Sequence, residues 1–122
     1  IEAMPDRERT KITNAIHWRV QSLADRSFTS SVVKLSIAID AFLGDSDHER
    51  GLKNTIADRL SYLLGKNMAH RSEIAKKVRE FYSLRSKIIH GDVTVLRTKQ
   101  RELCNELQLL LDQALMKEIR HH

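Results

Sequence analysis

Chain breakers are scarce in this sequence, and that scarcity limits the fold more than any other feature. Only four glycines and one proline occur in 122 residues. A sheet-rich domain needs many tight turns, whereas a few long helices need few breakers. Three of the glycines close stretches of helical periodicity. The first stretch runs from about Asp6 to Asp25, with Pro5 suited to its first turn and Ile12, Ile16, Val20 and Leu23 sharing one side. The second runs from about Thr29 or Ser30 to Leu43; "SFTSS" offers N-cap residues and Gly44 a stop. "GDSDHERG" then reads as a polar loop. A third helix is expected from about Leu52 to Leu64, with Leu52, Ile56, Leu60, Leu63 and Leu64 inward and Gly65 closing it. The fourth spans about Ser72 to Ile89, with Glu73 and Glu80 outward and Gly91 as the stop. The fifth spans about Leu96 to Ile119, with Leu103, Leu107, Leu110 and Ala114 on one seam. No repeat, low-complexity segment or internal linker interrupts them. The expectation is one all-α domain over residues 1–122, a bundle of four to five helices with short connections.

Composition narrows the function classes. Hydrophobic residues make up 41% and charged residues 30%, the balance of a globular chain. The net charge of +5 is spread among interleaved acids and bases. It suits a solvated mixed surface or a polyanionic partner such as nucleic acid. Cys104 is the single cysteine, so an intrachain disulfide framework and a cysteine zinc site are both excluded, and a reducing, cytoplasmic setting is favoured. No apolar run is long enough to cross a bilayer, and no signal peptide, glycine-rich phosphate loop, zinc signature or nucleophile elbow is present. No cofactor and no metal are therefore expected. The chain starts at Ile1, as a C-terminal piece excised from a longer protein would, and His121-His122 has the look of a tag remnant; both ends are left out of any site.

Two helices break their own patterns. The fourth helix, which ends in "FYSLRSKIIHGD", residues 81–92, carries an apolar stripe of Ile74, Val78, Phe81 and Ile88 flanked by Tyr82 and Ile89. Arg85 follows Ile74 by eleven residues, which at about 100° per residue returns it to within roughly 20° of that residue. A guanidinium at the centre of an apolar face must be paired, snorkel to water, or face a second surface or a ligand, because burying it alone is very costly. His90, five residues on, falls on the rim near the helix end, where a histidine can also satisfy terminal carbonyls. The second helix, "SVVKLSIAIDAFL", is apolar on nearly every side, as a central helix is. Ser36 and Asp40, one turn apart, interrupt it. Asp40 is then a partly buried carboxylate, with Arg85 or His90 as its natural partner, or a charge at the solvent edge.

These residues resemble a family. "FYSLRSKIIHG", Phe81 to Gly91, is similar to the "LYxLRSKIVHG" hallmark of the ApeA-like branch of HEPN domains. Upstream, "SVVKLSIAIDAFLG" resembles that family's "ALEALF" helix, with Asp40 where Glu is usual, and "IADRLSYLLG" its "ERLAYLLG" segment. The likeness covers roughly residues 30 to 92 in order; the first and last helices match only in being helical. Ser86 follows the arginine where many HEPN nucleases carry Asn, Asp or His, as is usual for the ApeA-like branch.

The resemblance implies a helical bundle that forms a homodimer, with the arginine and histidine of an R-x4-6-H motif, here Arg85 and His90, facing a cleft between protomers. It implies a metal-independent endoribonuclease, of the kind found in toxins and antiviral defence, or a relative that has lost catalysis and binds RNA or assembles. In the first case His90 would move a proton at the 2′-OH or the leaving 5′-oxygen. Arg85 would hold the scissile phosphate through two donors. Asp40, Tyr82 and Ser86 would support them. A plain helical adaptor without ligand is the third alternative. Other side chains carry ordinary expectations. Trp18, Phe28, Phe42 and Phe81 should pack in the core or at an interface, and His17, His48 and His70 should lie on the surface. "AKKVR", Ala75 to Arg79, should be a solvated helix face or a track for RNA phosphates, and Arg59 should sit in a structural ion pair.

Overall fold

The computed structural model describes residues 4–44 and 52–121. The expected loop "GDSDHERG", apart from Gly44, and with it His48, lies outside the described residues, as does His122. The chain is all-helical: α1 Asp6–Ala24, α2 Phe28–Leu43, α3 Leu52–Leu64, α4 Met68–Ile89 and α5 Thr98–Arg120, with no strand among the described residues. A bundle of five helices is what the spacing of chain breakers predicts.

Local chemistry sets the helix ends. Pro5 precedes the first turn of α1, where its fixed φ suits helix entry and Asp6 and Glu8 favour the positive end of the dipole. Ser27 caps α2, its side chain accepting from the Ser30 N–H at 3.3 Å. The same turn is pinned by Asp25, which accepts from the Ser27 N–H at 2.9 Å and pairs with Lys34 at 2.8 Å. Helix α4 begins four residues earlier than the apolar pattern suggests. Asn67 Oδ1 accepts from the His70 N–H at 2.9 Å, and His70 Nδ1 accepts from the Lys66 N–H at 3.1 Å. This polar cap carries Met68 and Ala69, both exposed, into the helix without any apolar signal. At α5 the start moves from Leu96 to Thr98, with Gln100 accepting from the Arg97 N–H at 2.8 Å.

Helix α2 is central, touching each of the other four. Leu35, Ser36, Ala38 and Ile39 are essentially inaccessible. They meet Ile56 and Leu60 from α3, Val78 and Phe81 from α4, and Leu107 and Leu111 from α5 in one hydrophobic core. Leu52, Leu63 and Leu64 of α3, and Leu103 and Leu110 of α5, pack on it half-buried. Arg59 closes the end of α2, donating from Nη1 to the Leu43 carbonyl at 2.7 Å.

The first helix departs from expectation. Of the stripe Ile12, Ile16, Val20 and Leu23, only Ile12 is buried; Ile16, Val20 and Leu23 are 40, 53 and 65% exposed. The buried face is instead Ile12, Ala15 and Ser22, with Trp18 and Arg19 half-buried beside it. Small residues decide this docking. Ala15 is fully covered, and the Ser22 hydroxyl bonds Ser31 across the crossing with α2, so the two helices approach along their small-residue face. Arg19 ties the far side of α1 to α5 through a two-pronged pair with Asp112, at 3.0 and 3.1 Å.

The two faces of α1 should respond oppositely to substitution. Ala15→Leu, placed in the crossing, should lower stability by about 1–3 kcal/mol through overpacking. Val20→Ser should change it by no more than about 0.5 kcal/mol. Urea unfolding of the two variants measures both, and a large loss at Val20 would mean that the apolar stripe is covered.

Candidate functional site around Arg85

The stripe of α4 enters the core through Ile74, Val78 and Phe81, all at most 2% exposed. One turn later the same line carries Arg85, half-buried, toward α2. Its Nε donates to Ser36 Oγ at 2.8 Å. Ser36 is fully buried, and its hydroxyl proton is directed to the Val33 carbonyl at 2.6 Å, which leaves an oxygen lone pair for the arginine. No carboxylate pairs with Arg85 among the described residues, and its terminal nitrogens form no hydrogen bond there and are not sealed from solvent. The internal salt bridge considered from sequence is therefore not formed. The guanidinium is anchored at its base by a neutral hydroxyl, with its outer edge free.

Asp40 finds a different partner from either expected one. Tyr82 Oη donates to Asp40 Oδ1 at 2.5 Å, while Arg85 is held by Ser36 one turn earlier on α2. The Arg85 guanidinium carbon lies 6.0 Å from the centre of the Tyr82 ring, at the outer limit of cation–π attraction. Burial pushes the Asp40 carboxyl above the usual carboxylate range, while the Tyr82 hydrogen bond and the Arg85 charge pull it back. Burial first, and then the Asp40 charge, drive the Tyr82 phenol far above its ordinary value of 10.0. Tyr82 is therefore a hydrogen-bond donor near neutrality and does not act as a base.

His90 is the C-cap of α4. The chain turns there by a Schellman motif. The Gly91 N–H donates to the Ile88 carbonyl at 3.1 Å and the Asp92 N–H to the Lys87 carbonyl at 2.8 Å, with Gly91 at φ +81°. The last carbonyls are thus satisfied by backbone, and the imidazole of His90 is not needed for them. It is exposed and forms no hydrogen bond or ion pair with another described residue. Five residues of helix turn it about 140° from Arg85, and Ser86 about 100°. Ser86 is exposed, and its carbonyl accepts from the His90 N–H at 3.0 Å. Among the five residues singled out from sequence, the fold brings Arg85, Tyr82 and Asp40 together and leaves Ser86 and His90 on the neighbouring flank. It adds Ser36, whose signal in the sequence was its one-turn spacing from Asp40 on an otherwise apolar helix.

The cations of the "AKKVR" run are occupied. Lys76 pairs with Glu80 at 3.9 Å, and Lys77 with Glu73 and Glu106 at 3.2 and 3.3 Å. Arg79 meets Asp58 at 3.9 Å and Asn54 at 3.1 Å. The run "AKKVR" is thus an ion-paired helix face. Phe28 is not part of the core: it is 57% exposed, with Arg101 stacked over its ring at 4.2 Å. Among the described residues no cluster of three or more His, Cys, Asp and Glu could hold a metal ion, and no helix is long and apolar enough to cross a membrane. No protein-family model, no curated protein and no solved structure matches the chain.

The Asp40 environment predicts a pH signature. Because its folded-state pKa is raised, the charged form is the penalised one. Asp40 then costs stability progressively as pH rises from its ordinary 3.8 through the raised value. Asp40→Asn escapes that penalty, so its stability relative to the natural chain should climb across this window and level off above it. Urea midpoints measured at successive pH values test the sign; a flat or falling difference contradicts it.

Proposed function

We propose that this chain is a HEPN-type domain of the ApeA-like branch that works as a homodimer and cleaves RNA without a metal, in a cytoplasmic toxin or antiviral defence setting. One observation carries this reading. Arg85 occupies the centre of an apolar helix face, is held only at Nε, and offers its outer nitrogens to no carboxylate among the described residues. Preorganised, half-desolvated and unneutralised, such a guanidinium suits a phosphate diester, which it can grip through two parallel donors. Exposed Ile89, one turn beyond Arg85 on the same side, gives that surface an apolar margin for a second protomer.

In this reading two Arg85 side chains approach across a two-fold axis and bind the scissile phosphate. The 2′-oxygen attacks phosphorus, a 2′-O–P bond forms and the P–5′-O bond breaks. One His90 accepts the 2′ proton and another returns a proton to the departing 5′-oxygen, leaving a 2′,3′-cyclic phosphate. The need for a 2′-OH restricts the chemistry to RNA. Tyr82 and Asp40 brace the floor beneath Arg85, and Ser36 fixes its orientation.

A second reading is favoured by a separate observation. Within one protomer no contact joins His90 to Arg85 among the described residues. A domain that binds RNA at Arg85 and only assembles a larger defence protein satisfies that geometry as well.

Incubating the purified protein with single-stranded RNA in EDTA separates the two. Cleavage should yield cyclic phosphate ends, and His90→Ala should slow it by at least about 100-fold, the usual lower bound for losing a general acid–base group. Binding that weakens steeply with salt but gives no product supports the assembly reading. Cleavage that EDTA removes, or that His90→Ala leaves intact, rejects the metal-independent mechanism.

A further inference from the structure

A groove of about 490 Å³ opens beside the Arg85 network, on the side of Asp40 facing α1. Its walls are Ile37, Ala41 and Leu52, and its rim carries Arg7 and Lys11. These two cations stand four residues apart on α1, so they project from one side of the helix about 6 Å apart along its axis. Arg7 is exposed and Lys11 half-buried. Neither forms a hydrogen bond or ion pair with another described residue, in contrast to Lys76, Lys77 and Arg79 on α4. The acid lining this groove, Asp40, is turned to the Tyr82 hydroxyl rather than to either cation. Asp40 links the groove to the arginine site: it lines the groove and accepts from Tyr82, whose ring centre lies 6.0 Å from the Arg85 guanidinium carbon.

Two cations without an ion-pair partner among the described residues, over an apolar trough, suit a polyanion whose charges recur along a flexible chain carrying apolar faces. A single-stranded nucleic acid has that chemistry. We propose that Arg7 and Lys11 form a second phosphate-binding subsite, continuous with Arg85, along which the flanking backbone of a single-stranded RNA lies. The inference rests on the reading of Arg85 as an RNA phosphate site. It extends that reading by assigning the strand a path over α1, a helix outside the stretch that carries the family resemblance. Ile37, Ala41 and Leu52 give the sugars and bases an apolar wall, and selectivity along the track is for backbone charge rather than sequence.

Salt-dependent binding of a fluorescein-labelled single-stranded oligoribonucleotide, read by anisotropy, tests it. Each single-strand phosphate contact contributes about 0.7 to the slope of log K against log salt. Arg7→Gln with Lys11→Gln should lower the slope by about 1.4 and weaken binding, whereas Arg7→Lys with Lys11→Arg should preserve both. Both positions lie on the surface, and an unchanged thermal melt checks the fold of each variant. If Arg85→Gln reduces the slope and the double glutamine variant does not, the subsite is rejected while the Arg85 reading stands. If the double variant reduces it and Arg85→Gln does not, Arg7 and Lys11 hold the strand by themselves, and the Arg85 reading fails together with the continuity proposed between the two sites. A natural chain that does not bind the oligonucleotide overturns both.

Discussion

A charged guanidinium reaches the edge of a helical core and is received there by a serine hydroxyl. The arrangement of the rest of the site follows from that contact. Bonding a buried charge to a carboxylate would neutralise it; leaving it without any partner would cost more than a small domain can offset. Ser36 takes the middle course. Its own proton is committed to a backbone carbonyl, so its oxygen is free to accept from Nε, and the arginine is fixed in direction while its outer face keeps its full charge. Asp40 and Tyr82 satisfy each other one turn away, which keeps the nearest carboxylate from closing an ion pair with the arginine.

That geometry depends on α2. A helix apolar on nearly every side can be surrounded, and α2 is touched by the other four. Ser36 and Asp40 are polar interruptions on this central element, so whatever faces them is brought into the interior of the bundle. Helix α4 supplies Tyr82 and Arg85 at a spacing of three residues, which lets neighbouring side chains engage acceptors separated by one turn of α2. The end of α4 is fixed separately, by a left-handed glycine and two backbone hydrogen bonds, and this releases His90 from any capping duty.

The surface charge divides into two populations. On α4, Lys76, Lys77 and Arg79 are absorbed by acids on the same helix, on α3 and on α5. Around the groove by Asp40 the cations of α1 are not absorbed in this way. The net charge of +5 alone does not separate these cases, because acids and bases alternate along the whole chain.

Much of the architecture was readable before any coordinates. Sparse glycines at the ends of periodic segments place α2, α3 and the close of α4 to within a residue or two, because a helix stop is a local conformational event. Helical period alone places Ile56 and Leu60 of α3 and Leu107 and Ala114 of α5 in the core and marks the anomaly of Arg85 on its stripe, but it turns Leu103 and Leu110 inward where packing buries Cys104, Leu111 and Leu115. Polar capping by Asn67 and His70 extended α4 beyond what apolar spacing could reveal. Tertiary packing alone decided which face of α1 is buried, since the small residues Ala15 and Ser22 allow a close crossing that the larger stripe does not. It also decided that Arg85 bonds Ser36 and Asp40 bonds Tyr82. The sequence marks each of these groups as wanting a partner, but hydrogen-bond partners are assigned by the rotation and depth of one helix against another, and no local spacing encodes those.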